Sequence, residues 1–496
     1  MKKYLNNFDE KEFLSKSLKL KYSKNKKSII FQCPLDHFYL HLYSEIIKNE
    51  IKNDLNFIGV IEIPIKIKKH EALLVYPFLL KKISQKILEY KWKKLYKAIG
   101  ISKFHLPRNN NFNILKLAFL KYKSIKSNKE LNDIQINNIY CGDLIWDTLI
   151  RFSSTKLPVV YYKSVNTFIT IYRAYQSIFA FNKIILSYDF IKAFIPQTVY
   201  VFNGIPLRLF FLKGIKTYAS SSLECLFKEI KIKNDFGSPY ASEYKKIFIN
   251  NKFNEKQITL ALTQFSSRFK GNDDLGWLNA FEKNPYSNLI EEKSEKALDG
   301  LDGIIFLHDF YDGNRFYGKS IFTDFFSWTE FTLNLITNNN LKVGIKPHPF
   351  QMSESEKIVD YFKIKYPNLI WLDSKISNNQ IFKSNISFGI TQHGTVISEL
   401  AFHNIVPIFC GDCPIDSFNI GFKAKTIEEY EKLIKNFKML KLNKDFKNEL
   451  GIYYYMHHIY NKNDYDLGEE ITDGVKLLNI KDRFYYDTSD LKLIYQ

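Results

Sequence analysis

The chain has little cysteine, no long apolar run, and fewer carboxylates than cations. Five cysteines stand in 496 residues: Cys33, Cys141, Cys225, Cys410 and Cys413. Their number is odd and their spacing scattered, which argues against a disulfide framework and suits reduced thiols in a cytoplasm. Cys410 and Cys413 form a C-x-x-C, but no second Cys or His pair follows at zinc spacing, so no structural metal is expected. The most apolar region, 178–215, is broken by Lys183, Asp189, Lys192, Arg208 and Lys213, so no membrane-spanning helix is expected. The N-terminal MKKYLNNFDEKEFLSKSLKLKYSKNKKS has no apolar h-region and no cleavage site, so it is not expected to act as a secretory signal. No internal repeat or low-complexity tract stands out.

What is present is a large apolar content and an excess of cations. Hydrophobic residues make up 45% of the chain, which places it among globular proteins. Its length exceeds what one core supports, so two domains are expected. Lys and Arg number 71 against 52 Asp and Glu, and 71 − 52 gives +19. Such a balance suits nucleic acid, an anionic membrane surface or an acidic substrate. No nucleic-acid recognition motif accompanies it, so nucleic acid is not expected as a partner. A/T-rich coding is an equally simple source of the lysines.

The coarse pattern alternates strands and helices, which implies parallel sheets covered by helices. SIIFQCPLDHFYLHLYSEIIKN (28–49) reads as strand, turn and amphipathic helix, and FIGVIEIPI (57–65) as a strand. Helical spacing follows at 82–99, a helix starting near Asp143, and another at 166–185. TVYVFNGIPLRLFFLKGIKTYAS (198–220) reads as strand, Gly turn, helix and strand. The polar stretch 267–300 separates a first domain, 1–285, from a second, 300–436. In the second, strands are expected at 302–308, 341–347, 368–372, 386–391 and 405–410. A charged, helical segment, 437–496, follows and is expected to pack back across the cleft.

The chemistry concentrates in the second domain. FGITQHGTVISELAFHNIVPIFCGDCP (388–414) reads as strand, Gly turn, helix and strand. A helix start after a parallel strand favours an anion through its free N–H groups and dipole. Gln392, His393, Gly394 and Thr395 lie at that turn, and Gly394 allows close approach of a phosphate. GIKPHP (344–349) ends a strand in Lys346 and His348, a point charge and a group able to donate to phosphate. IIFLHDFYDG (304–313) ends another in His308 and Asp309. Ligands of open α/β sheets bind at such strand ends, which makes this half a nucleotide-binding Rossmann-like domain. Asp309 or Asp312 can orient His308 or act as a base, although Asp312–Gly313 also suits a plain turn. Glu399, one turn into the helix, can reach a ribose or stand in solvent.

In the first domain, Asp143, Asp147 and Arg151 share a helical face. Asp143 suits either an acceptor contact or an N-cap, and Asp147 a salt bridge to Arg151. Asn203, Gly204 and Arg208 form the other turn, where Arg208 can meet an acidic acceptor or a donor phosphate. Asp273–Asp274 resembles an acidic pair of some sialyltransferases, but the pattern is incomplete and reads as a loop.

Together, CGDLIWDTLIR (141–151), VYVFNGIPLRLFFLKGIK (199–216), FLHDFYDG (306–313), IKPHP (345–349) and ITQHGTVISELAFHNIVPI (390–408) resemble the bacterial capsule polysaccharide biosynthesis family, glycosyltransferases of two-domain GT-B architecture that include Kdo-transferase-like members. The resemblance implies two Rossmann-like domains facing a central cleft. It also implies metal-independent transfer from a CMP- or UDP-linked sugar to a capsule or other surface-glycan acceptor. Under it, His308, Asp309 and His348 are candidate catalytic residues. Lys346, His348, Gln392, His393, Gly394, Thr395 and Glu399 are candidates for the donor, and Asp143, Asn203, Gly204 and Arg208 for the acceptor. No cofactor is implied beyond the nucleotide sugar. The acceptor would be lipid-linked or an oligosaccharide, handled in the cytoplasm or at the inner membrane face. There the Lys-rich segment 66–103, with Lys91, Lys93, Lys94 and Lys97 interleaved by Trp92, Leu95 and Tyr96, is expected to meet anionic lipid. A GT-B sugar 2-epimerase, a polyol-phosphate transferase and a non-catalytic glycan-assembly scaffold are the competing readings.

Overall fold

A computed structural model describes residues 18, 20–61, 75–107, 111–152, 157–221, 226–231, 237, 240–271, 286, 296–315, 317–349, 351–460 and 465. The chain forms two compact units. The first comprises Met1–Ser154, Val160–Lys233 and Asn463–Gln496, and the second Thr155–Val159 and Asn234–Lys462. Residues 240–271, expected in the first domain, therefore group with the second unit. Cys225 and Asp273–Asp274 lie outside the described residues, as does all of 66–74.

In the first unit, β1 (Ser28–Gln32) leads to α1 (His37–Glu50), β2 (Asn56–Val60), α2 (Val75–Ala98) and β3 (Lys103–His105). Next come α3 (Phe112–Ser124), α4 (Asn128–Asn132) and a small antiparallel pair, β4 (Gln135–Ile136) with β5 (Ile139–Tyr140). The unit continues through α5 (Gly142–Phe152), α6 (Val165–Leu186), β6 (Phe190–Ile195), α7 (Ile205–Leu212), β7 (Lys216–Ser221) and β8 (Leu226–Glu229). The sheet order is β3-β2-β1-β6-β7-β8, parallel throughout except for β8. Every residue of β1 and β2 is buried, as expected of strands covered on both faces.

Two sequence expectations change here. TVYVF is not a strand: Tyr200–Gly204 is one π-helical turn, begun by Tyr200 at φ 63°. The Thr148 hydroxyl accepts the Val201 N–H at 2.9 Å, so a side chain from α5 takes the place of a sheet neighbour. The strand of that region is FIKAFI, β6, whose internal Lys192 pairs with buried Glu50. Secondly, Trp92, Leu95 and Tyr96 are 2%, 0% and 0% exposed and belong to the core under β1 and β2. Their i, i+3, i+4 spacing marks the inner face of α2, so they cannot sit at a headgroup level.

The second unit opens with α8 (Tyr244–Asn250) and α9 (Glu255–Arg268). It continues with β9 (Gly303–Phe306), α10 (Phe325–Asn338), β10 (Val343–Lys346), α11 (Ser353–Lys365), β11 (Ile370–Trp371), α12 (Asn378–Lys383), β12 (Phe388–Ile390), α13 (Val396–Phe402), β13 (Val406–Phe409), β14 (Phe422–Lys423), α14 (Ile427–Lys435) and α15 (Phe446–Tyr454). The strand order is β11-β10-β9-β12-β13-β14, and every pair is parallel. Alternate residues of each strand feed two apolar clusters. Ile305, Ile345, Ile390 and Ile408 face α10, α11 and α14, while Ile304, Phe306 and Phe409 face α9, α12, α13 and α15. Gly389 is needed on the latter face, because a Cβ there would lie 2.4 Å from Leu400 Cδ1 of α13. The chain thus adopts the α/β class with two Rossmann-like units that the sequence implied. Among the described residues no helix is long and apolar enough to cross a membrane.

Candidate active site

Each sheet reverses its strand order once, between β1 and β6 in the first unit and between β9 and β12 in the second. Such a reversal leaves a crevice at the carboxyl ends of the two central strands. In the first unit the chain itself occupies that position. The Gln32 amide at the end of β1 donates to the Phe202 carbonyl at 2.6 Å, and the Tyr39 hydroxyl donates to the Pro196 carbonyl just past β6.

In the second unit the corresponding ends carry imidazoles. His308 follows β9, and its ring stacks on Phe325 with centroids 4.4 Å apart and planes 13° apart. His393 follows β12, its ring 4.8 Å from that of His308. Thr391, buried between them, fixes the protons. Its hydroxyl donates to the His393 carbonyl at 3.0 Å, so its oxygen is left to accept from His308 Nε2, also at 3.0 Å. This network assigns the proton of neutral His308 to Nε2 and leaves Nδ1 with a lone pair. Burial, then His393 and His348, hold His308 well below the usual imidazole value. It is a neutral base at pH 7, and His348, on the loop after β10, lies close enough to act on it. Thr391 was missed by the sequence reading, since nothing distinguishes it from any strand-end Thr.

His393 is 7% exposed, and neither ring nitrogen makes a well-formed hydrogen bond. Burial pulls it down to about 4, against the Asn314 backbone and Asp412, which favour the proton. Gly394 has φ 116°, a conformation L residues rarely adopt, and a Cβ there would stand 3.6 Å from His308 Cε1. Thr395 precedes the seven-residue α13 as its N-cap without a side-chain cap bond. Gly394 and Thr395 are part-exposed and, with Tyr317, Cys413, Pro414, Ile415, Tyr453 and His457, line a shallow open depression.

Lys346 ends β10 with 2% exposure. Its ammonium forms no ion pair or hydrogen bond with a described residue, while Glu399 and Asp373 favour its charge from a distance. Burial dominates and lowers it to about 8. A buried cation without a counter-ion costs free energy unless an anion joins it.

Other expected site residues have structural partners. The Asp309 carboxylate accepts from Tyr311 N, Met352 N and the Ser355 hydroxyl, so it ties the end of β9 to the start of α11. Asp312 is exposed and accepts from Gly313 N in a turn. Gln392 donates to the Ser320 hydroxyl, and its carbonyl accepts from Cys410 N and Gly411 N. Glu399 is 1% exposed and accepts from Tyr286 Oη at 2.8 Å and Asn378 Nδ2 at 3.3 Å. Arg268 Nη1, with a fully buried side chain, lies 3.5 Å from it. Glu399 thus pins α13 to α9 and stands neither in solvent nor free for a ribose. The thiols of Cys410 and Cys413 are free, buried and pushed up by burial, which leaves little thiolate for redox work.

The first-unit candidates gather in one place. Arg208, 6% exposed, donates through Nη1 to Asp143 Oδ1 and to the Tyr140 carbonyl, both at 2.7 Å, and through Nη2 to Asp143 Oδ2. Gly204 lets α7 approach α5, because a Cβ would lie 2.3 Å from Leu144 Cδ2. Asn203 is buried beside Gln197, and Asp147 is buried as well. No group of three or more His, Cys, Asp or Glu suited to a metal occurs among the described residues.

No protein-family model matches the chain, and no curated protein matches it in sequence. Solved structures that share its layout are distant. A UDP-GlcNAc 2-epimerase of Methanocaldococcus jannaschii is 11% identical over 88% of this chain and 98% of its own, with a TM-score of 0.31. An α,α-trehalose 6-phosphate synthase of Burkholderia multivorans is 7% identical over 94% and 100%, TM-score 0.33. A UDP-glucosyltransferase of Polygonum tinctorium is 9% identical over 92% and 99%, TM-score 0.29. Likeness at this level carries no argument about chemistry.

Proposed function

We propose that the protein is a nucleotide-sugar enzyme of GT-B type, and specifically a glycosyltransferase of capsule or other surface-glycan assembly. The observation that carries this reading is the gathering of Lys346, His308, His393 and Gly394 at the carboxyl ends of β9, β10 and β12, where the strand order reverses. Lys346 supplies a buried cation, paired with no described residue, for a donor phosphate. Gly394 gives that phosphate backbone access. His308, neutral with its Nδ1 lone pair available, takes the proton of an acceptor hydroxyl as the sugar is attacked. His348 supports the leaving phosphate, and charge developing there is met by groups already in place. No metal is assigned a part. Asp143 and Arg208 hold each other, so they act on an acceptor only by positioning α5 and α7.

The same constellation suits a 2-epimerase, in which His308 would take a carbon-bound proton instead. A melting-temperature screen of CMP, UDP, GDP, dTDP and CDP identifies the donor nucleotide, since a ligand that binds only the folded state raises the midpoint. With the matching sugar nucleotide, a transferase releases free nucleotide only as an acceptor is glycosylated. An epimerase returns an isomerised sugar nucleotide with no acceptor. His308→Ala is expected to lower turnover on the order of a hundredfold or more with melting unchanged. Absence of any nucleotide-induced shift, or full activity in that variant, would overturn the reading.

A further inference from the structure

The solvent face of α3 in the first unit combines large apolar side chains with lysines and has no carboxylate. Phe112, Phe119 and Leu120 are 75%, 45% and 54% exposed, and Lys116 and Lys123 are exposed beside them. These five share a face at i, i+4, i+7, i+8 and i+11, while Ile114 and Ala118 turn inward. The face extends onto α6. Phe119 packs edge-on against Phe168, with centroids 6.0 Å apart, and Lys163 Nζ donates to the Tyr122 and Lys123 carbonyls. Val165 and Ile169 of α6 are exposed next to that contact, at 68% and 39%.

The charge pattern decides what covers this face. No Asp or Glu occurs between Glu89 and Glu130, and α6 contains none either. A protein partner that used apolar contact alone would not need a surface stripped of acid over both helices. A soluble surface normally mixes charges of both signs. Apolar rings standing among lysines, with long lysine stems able to lie along the interface, are the pattern of a helix that rests in a lipid headgroup layer.

We propose that α3 and the first turn of α6 form a docking face for an anionic bilayer surface, with Phe112 and Leu120 entering the headgroup layer and Lys116 and Lys123 meeting lipid phosphates. The proposal is independent of the donor chemistry, and its test reads no activity. It moves the contact away from Trp92, Leu95 and Tyr96 of α2, which are in the core.

The test is co-sedimentation of the full chain with phosphatidylglycerol–phosphatidylcholine vesicles and with pure phosphatidylcholine vesicles. Binding is expected only to the anionic vesicles, and it should weaken sharply between ~0.05 M and ~0.5 M salt. The double variants Lys116→Glu/Lys123→Glu and Phe112→Ser/Leu120→Ser should each lower the bound fraction by about tenfold. Lys91→Glu/Lys94→Glu/Lys97→Glu should lower it far less. Circular dichroism confirms the fold, and all seven positions carry exposed or part-exposed side chains. Equal binding to neutral vesicles overturns the charge argument. Binding that survives both α3 variants overturns the location. If those variants instead abolish self-association in sedimentation velocity while wild type ignores vesicles, a second copy covers the face and the lipid proposal fails.

Discussion

Asp143→Ala should unfold the first unit more readily without touching donor binding. The carboxylate lies against an Arg208 side chain that is 8% exposed, in a two-pronged contact reinforced by the Tyr140 carbonyl. Removing Asp143 leaves a guanidinium that cannot lose its proton and has little water around it. Breaking a buried pair from one side costs about 3–5 kcal/mol. With a denaturant slope of about 3 kcal/mol per molar urea, the midpoint of the first transition should fall by about 1 M or somewhat more. Tryptophan fluorescence follows it, because Trp92 and Trp146 are both buried in this unit. Replacing both partners, as Asp143→Leu/Arg208→Met, removes the stranded charge and should restore most of the loss, since apolar substitutes for buried pairs are often neutral. A simple acceptor-binding role makes the opposite forecast: Asp143→Ala keeps its urea midpoint and loses only transfer. That outcome would refute the structural assignment, as would a double variant no more stable than the single one.

Two further predictions concern the second unit. Lys346 stands at about 8 when folded against an ordinary 10.5, so the unfolded chain binds more protons between those values and stability should rise with pH across that window. Because the charged form is the one that meets phosphate, nucleotide affinity measured by calorimetry should fall above pH 8 in wild type. In Lys346→Met it should be weak and flat, and an unchanged profile there would exclude Lys346 from the phosphate. Thr391→Val, which keeps the shape but loses the hydroxyl, should lower kcat about tenfold or more and move the pH–rate profile, while Thr391→Ser restores both. Equal loss in Val and Ser variants would mean that Thr391 only packs.

Much of the second unit was legible because its strands are buried on both faces. GIIF, VGIK, FGI and VPIF read as short, mostly apolar runs, and each is buried along its whole length. The histidines at those ends stood out for the same reason. What failed was local resemblance decided by distant contacts. TVYVF has the composition of a strand, yet Thr148 of another helix holds it in a turn. FIKAFI carries a lysine that only its distant partner Glu50 explains in a strand. Glu399 looked like an open helix carboxylate because Arg268 and Tyr286 are remote in sequence. Asp309 looked catalytic because its three donors come from its own turn and from α11. Trp92, Leu95 and Tyr96 had a legible helical spacing, but the lysines between them suggested a face at the lipid headgroup level.

Glu50 also bears on the order in which the protein is completed. Its carboxylate accepts from Tyr465 Oη at 2.7 Å, and Tyr465 packs edge-on against Phe194 and Tyr218. Tyr465 leaves the ribosome only after residues 234–462, the whole continuous part of the second unit, have been made. Domains usually fold as they emerge, the N-terminal one first. Here the earlier unit must wait for Tyr465 while the later one finishes, with Glu50 paired to Lys192 but lacking the tyrosine hydroxyl throughout. A nascent chain halted near residue 462 should therefore carry a settled second unit and a loosened first one, so that proteases would attack the end of the protein that was synthesised earliest.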